Sequence, residues 1–228
     1  MSRKQKSNRR LRIAVLISGS GTTMQNLIDR IADGRLKNIE IPIVISSRTN
    51  VEGVSRAEAA DLPVDVVRRM DYDSTESFSD HLTLTLDVYA VDLVVQAGWL
   101  VHWILPERWH EKVINLHPSL LPDYGGKGFY GLHVHEAVLA SGETESGATV
   151  HWVNNEYDAG EIIAQRKCEV LPEDTPETLA ARVQELEREL LPDVIEKIRR
   201  GDYRPPRKQK KKKHDVTVIQ PRDKRDDR

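Results

Sequence analysis

The chain has 228 residues and one cysteine, Cys168. A lone cysteine excludes an internal disulfide and any cysteine-based metal spacing, so a reducing compartment is expected. No run of about 18 apolar residues occurs, which excludes a membrane-spanning helix. The basic N-terminus is not followed by the apolar region and cleavage site of a signal peptide. On these grounds the protein is read as cytoplasmic. No internal repeat is present. The hydrophobic share, 39%, lies below the globular average, and the shortfall is concentrated at the two ends.

Charge is divided in the same way. Of 34 basic residues, five lie in 1–10 and eleven in 204–228. Of 36 acidic residues, four lie in 204–228 and none in 1–10. The segment 11–203 therefore holds 18 basic and 32 acidic residues, while both ends are positive. The overall charge of −2 hides an acidic body with basic arms. From Tyr203 the sequence R-P-P-R-K-Q-K-K-K-K-H-D has no apolar periodicity and reads as a disordered tail. The organisation expected is a basic arm over 1–10, one folded domain over 11–203 and a basic tail over 204–228. The tail reads as a solubilising end. The competing reading is weak contact with nucleic acid or another polyanion, without base recognition, because aromatic residues are not interleaved.

What is present is a β-α alternation. The nearly continuous apolar run L-R-I-A-V-L-I (11–17) suits a strand covered on both faces. A turn, S-G-S-G-T-T (18–23), follows, and then apolar positions 24, 27, 28 and 31 at helical spacing. Further strands are expected over 39–46, 64–67, 91–96, 113–116, 147–153 and 161–169. Helices are expected over 52–61, 74–89 and 132–140, with a short piece at 107–111 and a long helix over 175–199. Pro192 is expected to kink or break the last of these. The pattern predicts an α/β fold: a doubly wound, mostly parallel, Rossmann-like sheet, a C-terminal antiparallel extension and a long final helix.

The residues able to carry chemistry cluster at predicted strand ends. Asn115 and His117, two apart on a strand that stops at Pro118, project to one face. In an open α/β sheet that edge is where ligands bind. Asp158, in the turn N-N-E-Y-D-A-G, can complete a His/Asp acid–base pair if the chain brings it near. Taken singly, the histidine also reads as structural and the aspartate as a turn residue. The turn after the first strand offers backbone N–H groups, hydroxyls and a helix N-terminus to an anion. It lacks the lysine of a triphosphate-binding loop, and Met24 stands where a third glycine would complete G-x-G-x-x-G, so a tight turn needing glycine only for geometry is the alternative. His133 and His135, at i and i+2 on a predicted helix, do not share a face, and no metal site is expected.

Four motifs then occur in order: I-S-G-S-G-T-T-M-Q-N-L, N-L-H-P-S-L-L-P, G-L-H-V-H-E-A-V and S-G-A-T-V-H-W-V-N-N-E-Y-D-A-G-E-I-I-A-Q. Together they resemble the phosphoribosylglycinamide formyltransferase family, within the formyl-tetrahydrofolate transferase superfamily, over about residues 11–200. The resemblance implies transfer of a formyl group from 10-formyltetrahydrofolate, as co-substrate, to the amine of glycinamide ribonucleotide in purine biosynthesis. The reaction passes through a tetrahedral intermediate, without metal. It implies catalytic roles for Asn115, His117 and Asp158. Asn115 and a protonated His117 stabilise the oxyanion, and Asp158 keeps His117 charged or relays a proton. It further implies substrate-phosphate binding at Ser20, Gly21, Thr22 and Thr23, ribonucleotide binding at Glu187, and a folate site at Trp99, Leu100 and Val101 with the 153–158 loop.

This sequence departs from the family pattern at several places. Thr23 stands where asparagine is common. The segment A-G-W-L-V-H-W-I-L-P (97–106) differs in length and lacks the family's arginine. The loop G-G-K-G-F-Y-G (125–131) is longer than in the shortest members. Lys127 in that loop reads either as a guide for the folate glutamate tail or as a solvated loop cation. His151 reads either as bordering the site or as a packed histidine. Small-molecule substrates are the expected partners, with a monomer or homodimer and no membrane. The competing functions are formyltetrahydrofolate hydrolase, with water as acceptor, and a non-catalytic polyanion-binding protein.

Overall fold

The structure is a computed structural model that describes residues 10–203. The basic tail, and all but the last residue of the N-terminal arm, lie outside the described residues. Twelve elements carry the fold: β1 (Leu11–Ile17), α1 (Thr22–Ala32), β2 (Ile39–Ser46), α2 (Glu52–Ala59), β3 (Val64–Val66), α3 (Thr75–Val88), β4 (Leu93–Gln96), β5 (Val113–His117), α4 (Leu132–Ala140), β6 (Glu145–Trp152), β7 (Ile162–Glu169) and α5 (Pro176–Arg200). The piece expected at 107–111 is a single 3-10 turn, Glu107–Trp109.

The seven strands form one sheet in the order β3-β2-β1-β4-β5-β6-β7. The first five run parallel, and β6 and β7 are antiparallel additions. The mostly parallel doubly wound sheet and its antiparallel extension are therefore as expected. β1 shows why its sequence has no polar alternation. Ile13, Val15 and Ile17 enter the core under α1 and α5, with Met24, Leu27, Leu179, Val183 and Ile195. Ala14 and Leu16 enter the opposite core with Phe78, Leu82 and Leu86 of α3. A strand covered on both faces reads as a nearly continuous apolar run.

The helix ends have local causes. Ser74 caps α3 and Thr175 caps α5, each accepting from the backbone N–H three residues on. Pro176 occupies the first turn of α5, and Gly201 closes it in the left-handed conformation. Of the expected kink or break at Pro192, the break does not occur; the helix runs on to Arg200 with Pro192 buried. Proline has no N–H to donate to the carbonyl four residues back, here that of Arg188. Asn26 of α1 supplies the missing donor, its Nδ2 reaching the Arg188 carbonyl at 2.9 Å. Beside it Arg30 of α1 pairs with Glu189. The proline defect is thus filled by a neighbouring helix.

Candidate active site

The strand order reverses direction at β1: β2 lies on one side of it and β4 on the other. At such a switch point the loops leaving adjacent strands diverge and open a crevice at their carboxyl ends. A cleft of ≈ 770 Å³ lies there, lined by the loops after β1, β4 and β5, by the 126–132 and 153–158 segments, and by α5. Ser18, at the end of β1, ties three of the converging segments. Its Oγ accepts from Ser47 Oγ at 2.7 Å and from the Leu100 N–H at 2.9 Å. A single serine ahead of a glycine turn gave no signal of this in the sequence.

The loop after β1 enters α1 through Gly21, which caps the helix at φ 70°. A side chain there would be strained, and its Cβ would lie 2.7 Å from the Gly53 Cα of α2. The glycine is therefore needed for geometry, which satisfies the plainer reading of this turn. It also leaves Ser20, Gly21, Thr22 and Thr23 lining the cleft, where the first-turn N–H groups of α1 have no partners within the helix. The two readings are compatible.

Asn115, His117 and Asp158 meet. The antiparallel register places Asn115 opposite His151 and His117 opposite Thr149. Asp158, in the left-handed conformation at φ 52°, returns its carboxylate over this pair. Asn115 Nδ2 donates to Asp158 Oδ1 at 3.1 Å and to His151 Nε2, also at 3.1 Å. His151 Nδ1 donates to its neighbour's carbonyl, Trp152 O, at 2.8 Å, which leaves Nε2 as the acceptor. His117 Nε2 donates to the Tyr124 carbonyl at 2.8 Å, and its Nδ1 stands 3.6 Å from Asp158 Oδ2. Asp158 Oδ2 also accepts the Gly126 N–H at 2.9 Å. His151 is therefore an integral member of the cluster. Its position follows from pairing across strands 36 residues apart, which the sequence does not announce.

The electrostatics separate the acid from the bases. Burial alone would raise the pKa of Asp158. The His151 and His117 imidazoles and the Gly126 N–H outweigh it and hold the carboxyl below its ordinary value. His117 is 4% exposed. There burial lowers the pKa and prevails over the opposing pull of Asp158 and the Tyr124 carbonyl. The direction runs against the standing positive charge expected of His117: with Asp158 Oδ2 3.6 Å from Nδ1, desolvation still wins. His133 and His135 point apart. The first is exposed and pairs with Glu136, whereas the second is 4% exposed and lines the cleft.

The remaining expected residues line the same cleft. Trp99 is 8% exposed, and its ring stacks on Phe78 at 6.4 Å, so it forms floor more than contact surface. Leu100 is 41% exposed and presents the apolar side chain. Residues 99–105 are braced by Asn155, whose Oδ1 accepts the Leu105 N–H at 2.8 Å, and by the rings of His102 and Tyr157, 5.3 Å apart. Glu187 of α5 stands at the end of the cleft beside Thr22 and Thr23 of α1. It is partly buried, and desolvation pushes its pKa up to about 7. A carboxyl held there takes hydroxyl donors well.

The chain is similar to known formyl transferases, and it spans less than two thirds of the length of several curated relatives it matches. The family model described as formyl transferase matches residues 11–195. The chain is 37% identical over 190 residues to the chloroplastic phosphoribosylglycinamide formyltransferase of Arabidopsis thaliana, covering 82% of this chain and 65% of that protein. It is 37% identical over 196 residues to the phosphoribosylglycinamide formyltransferase of Haemophilus influenzae, covering 85% and 89%. The solved phosphoribosylglycinamide formyltransferase of Coxiella burnetii superposes with a TM-score of 0.76 at 39% identity, covering 85% of this chain and 89% of that one.

Proposed function

The chain belongs to the formyl transferase family, and from that premise we propose that it moves a formyl group from 10-formyltetrahydrofolate to the amine of glycinamide ribonucleotide. The observation that carries this reading is the convergence of Asn115, His117 and Asp158 on a cleft that also reaches the α1 N-terminus. Acyl transfer to an amine needs an electrophile-activating group, a proton acceptor and a site for the substrate's anionic end.

In the reaction the amine nitrogen bonds to the formyl carbon and the carbonyl π-pair moves onto oxygen. The tetrahedral intermediate then expels the folate nitrogen, which takes up a proton equivalent to the one the amine loses. Asp158, held ionised, is the acceptor on the path of that proton, directly or through water. A proton taken by His117 at Nδ1 faces both Asp158 and the cleft and offsets the oxyanion. Both amide hydrogens of Asn115 are committed to protein acceptors in the free protein. It binds the oxyanion by exchanging its contact with His151. Ser20 to Thr23 take the ribonucleotide phosphate, and Glu187 accepts from its hydroxyls. Leu100 and Val101, over the Trp99 floor, hold the folate ring system. The catalytic unit is the domain over 11–203, as a monomer or homodimer. Cys168, the single thiol, fits a reducing cytoplasm.

The test is formyl transfer by purified protein supplied with 10-formyltetrahydrofolate and glycinamide ribonucleotide. Formylated ribonucleotide should appear in step with tetrahydrofolate. Formate released at the same rate with and without the ribonucleotide would replace this reading with a hydrolase. Asp158→Asn should lower kcat by about a hundredfold or more, while the fold measured by circular dichroism is retained.

A further inference from the structure

The tripeptide Tyr124-Gly125-Gly126 touches both members of the His–Asp pair through its backbone. The Tyr124 carbonyl faces His117 Nε2 at 2.8 Å, and the Gly126 N–H donates to Asp158 Oδ2 at 2.9 Å. A carbonyl oxygen only accepts, so the neutral His117 ring must carry its proton on Nε2. The nitrogen left to gain and lose a proton is then Nδ1, on the side of Asp158. The N–H of Gly126 likewise holds Asp158 Oδ2, the carboxylate oxygen 3.6 Å from His117 Nδ1, and leaves Oδ1 to Asn115.

The segment leading into the tripeptide is pinned to the sheet. Thr149 of β6 accepts the Leu121 N–H at 3.1 Å and donates to the Ser119 carbonyl at 2.6 Å. Gln165 of β7 donates to Thr149 Oγ1 and to the Leu121 carbonyl, both at 2.9 Å. Tyr124 is anchored outward by its hydroxyl on Glu143 at 2.9 Å. Between the two contacting groups there is little room for a side chain. A Cβ on Gly125 would lie 2.5 Å from Leu121 Cδ2 and 3.2 Å from the Asp158 Cβ.

We infer that residues 124–126 form a backbone clamp, with Gly125 as its positioning residue, that sets the His117 tautomer and the orientation of Asp158 for the proposed reaction. The clamp rests on the formyl transfer reading for its purpose, and its geometry can be tested without it.

The experiment joins nitrogen-15 NMR of the histidine side chains with kinetics. The His117 signals are assigned by their loss in His117→Gln. In the wild type the neutral ring should be protonated at Nε2, and acidification should add the second proton at Nδ1. Gly125→Ala should mix the two tautomers. It should also lower kcat about tenfold or more, with KM for both substrates within about threefold. Adding Leu121→Ala, which removes the nearest obstacle, should restore part of both. A wild-type ring protonated at Nδ1 when neutral overturns the clamp, whether or not the alanine variant folds. So does a folded Gly125→Ala with unchanged tautomer and kcat. A wild type that does not formylate the ribonucleotide but shows the expected tautomer refutes the function and keeps the clamp.

Discussion

Glu187 shows how far one residue can be read from sequence. Its place on a helix and its charge were legible; its environment was not. In the fold its carboxyl sits between α5 and the start of α1, and burial raises its pKa from 4.5 to about 7. A carboxyl whose folded pKa exceeds its unfolded one adds stability that is fully present below pH 4.5 and lost as pH rises through 7. Glu187→Gln should therefore be more stable than the wild type at pH 8, by about 1–2 kcal/mol after allowance for the water that reaches a partly exposed group. At pH 4 the two should agree. Urea unfolding at both pH values checks this, and equal midpoints at pH 8 would rule out the buried charge. Asn115 and His117, by contrast, were legible together, because period-two spacing in a strand is a local property. His151 was ambiguous for the opposite reason. Its role depends on which residue stands across the β5–β6 ladder.

Elements were read well where their causes are local and badly where a neighbour intervenes. The expected helix over 132–140 is α4, residue for residue. The helices expected from 74 and from 175 begin one residue later, because Ser74 and Thr175 are caps. The fate of Pro192 could not be read from α5 alone, since Asn26 lies 162 positions from the carbonyl it satisfies. Asn26→Ala should lower stability by about 0.5–1.5 kcal/mol. In a Pro192→Ala background the same change should cost less, because an alanine N–H satisfies the Arg188 carbonyl within the helix. A double-mutant cycle of denaturant unfolding measures that coupling, and purely additive costs would disprove the compensation.

At the scale of the molecule, the described cleft residues all fall between 19 and 187. Deleting 204–228 should thus leave the proposed formyl transfer at low salt within about twofold, and a steady-state assay of the truncated chain decides it. A larger loss would assign the tail a part in catalysis. The sequence by itself determined the class of fold and the sites of polar residues at strand ends. Those follow from short-range periodicity, turn chemistry and the order of motifs along the chain. Only the tertiary structure decided the strand order that opens the cleft between the β1 and β4 loops. It alone also decided the register that seats His151 beside Asn115, the donor that repairs Pro192, and the desolvation that lowers the His117 pKa. Each of these depends on distances between residues far apart in the chain, and hydrogen bonds and pKa shifts are settled by such distances and by the water they exclude.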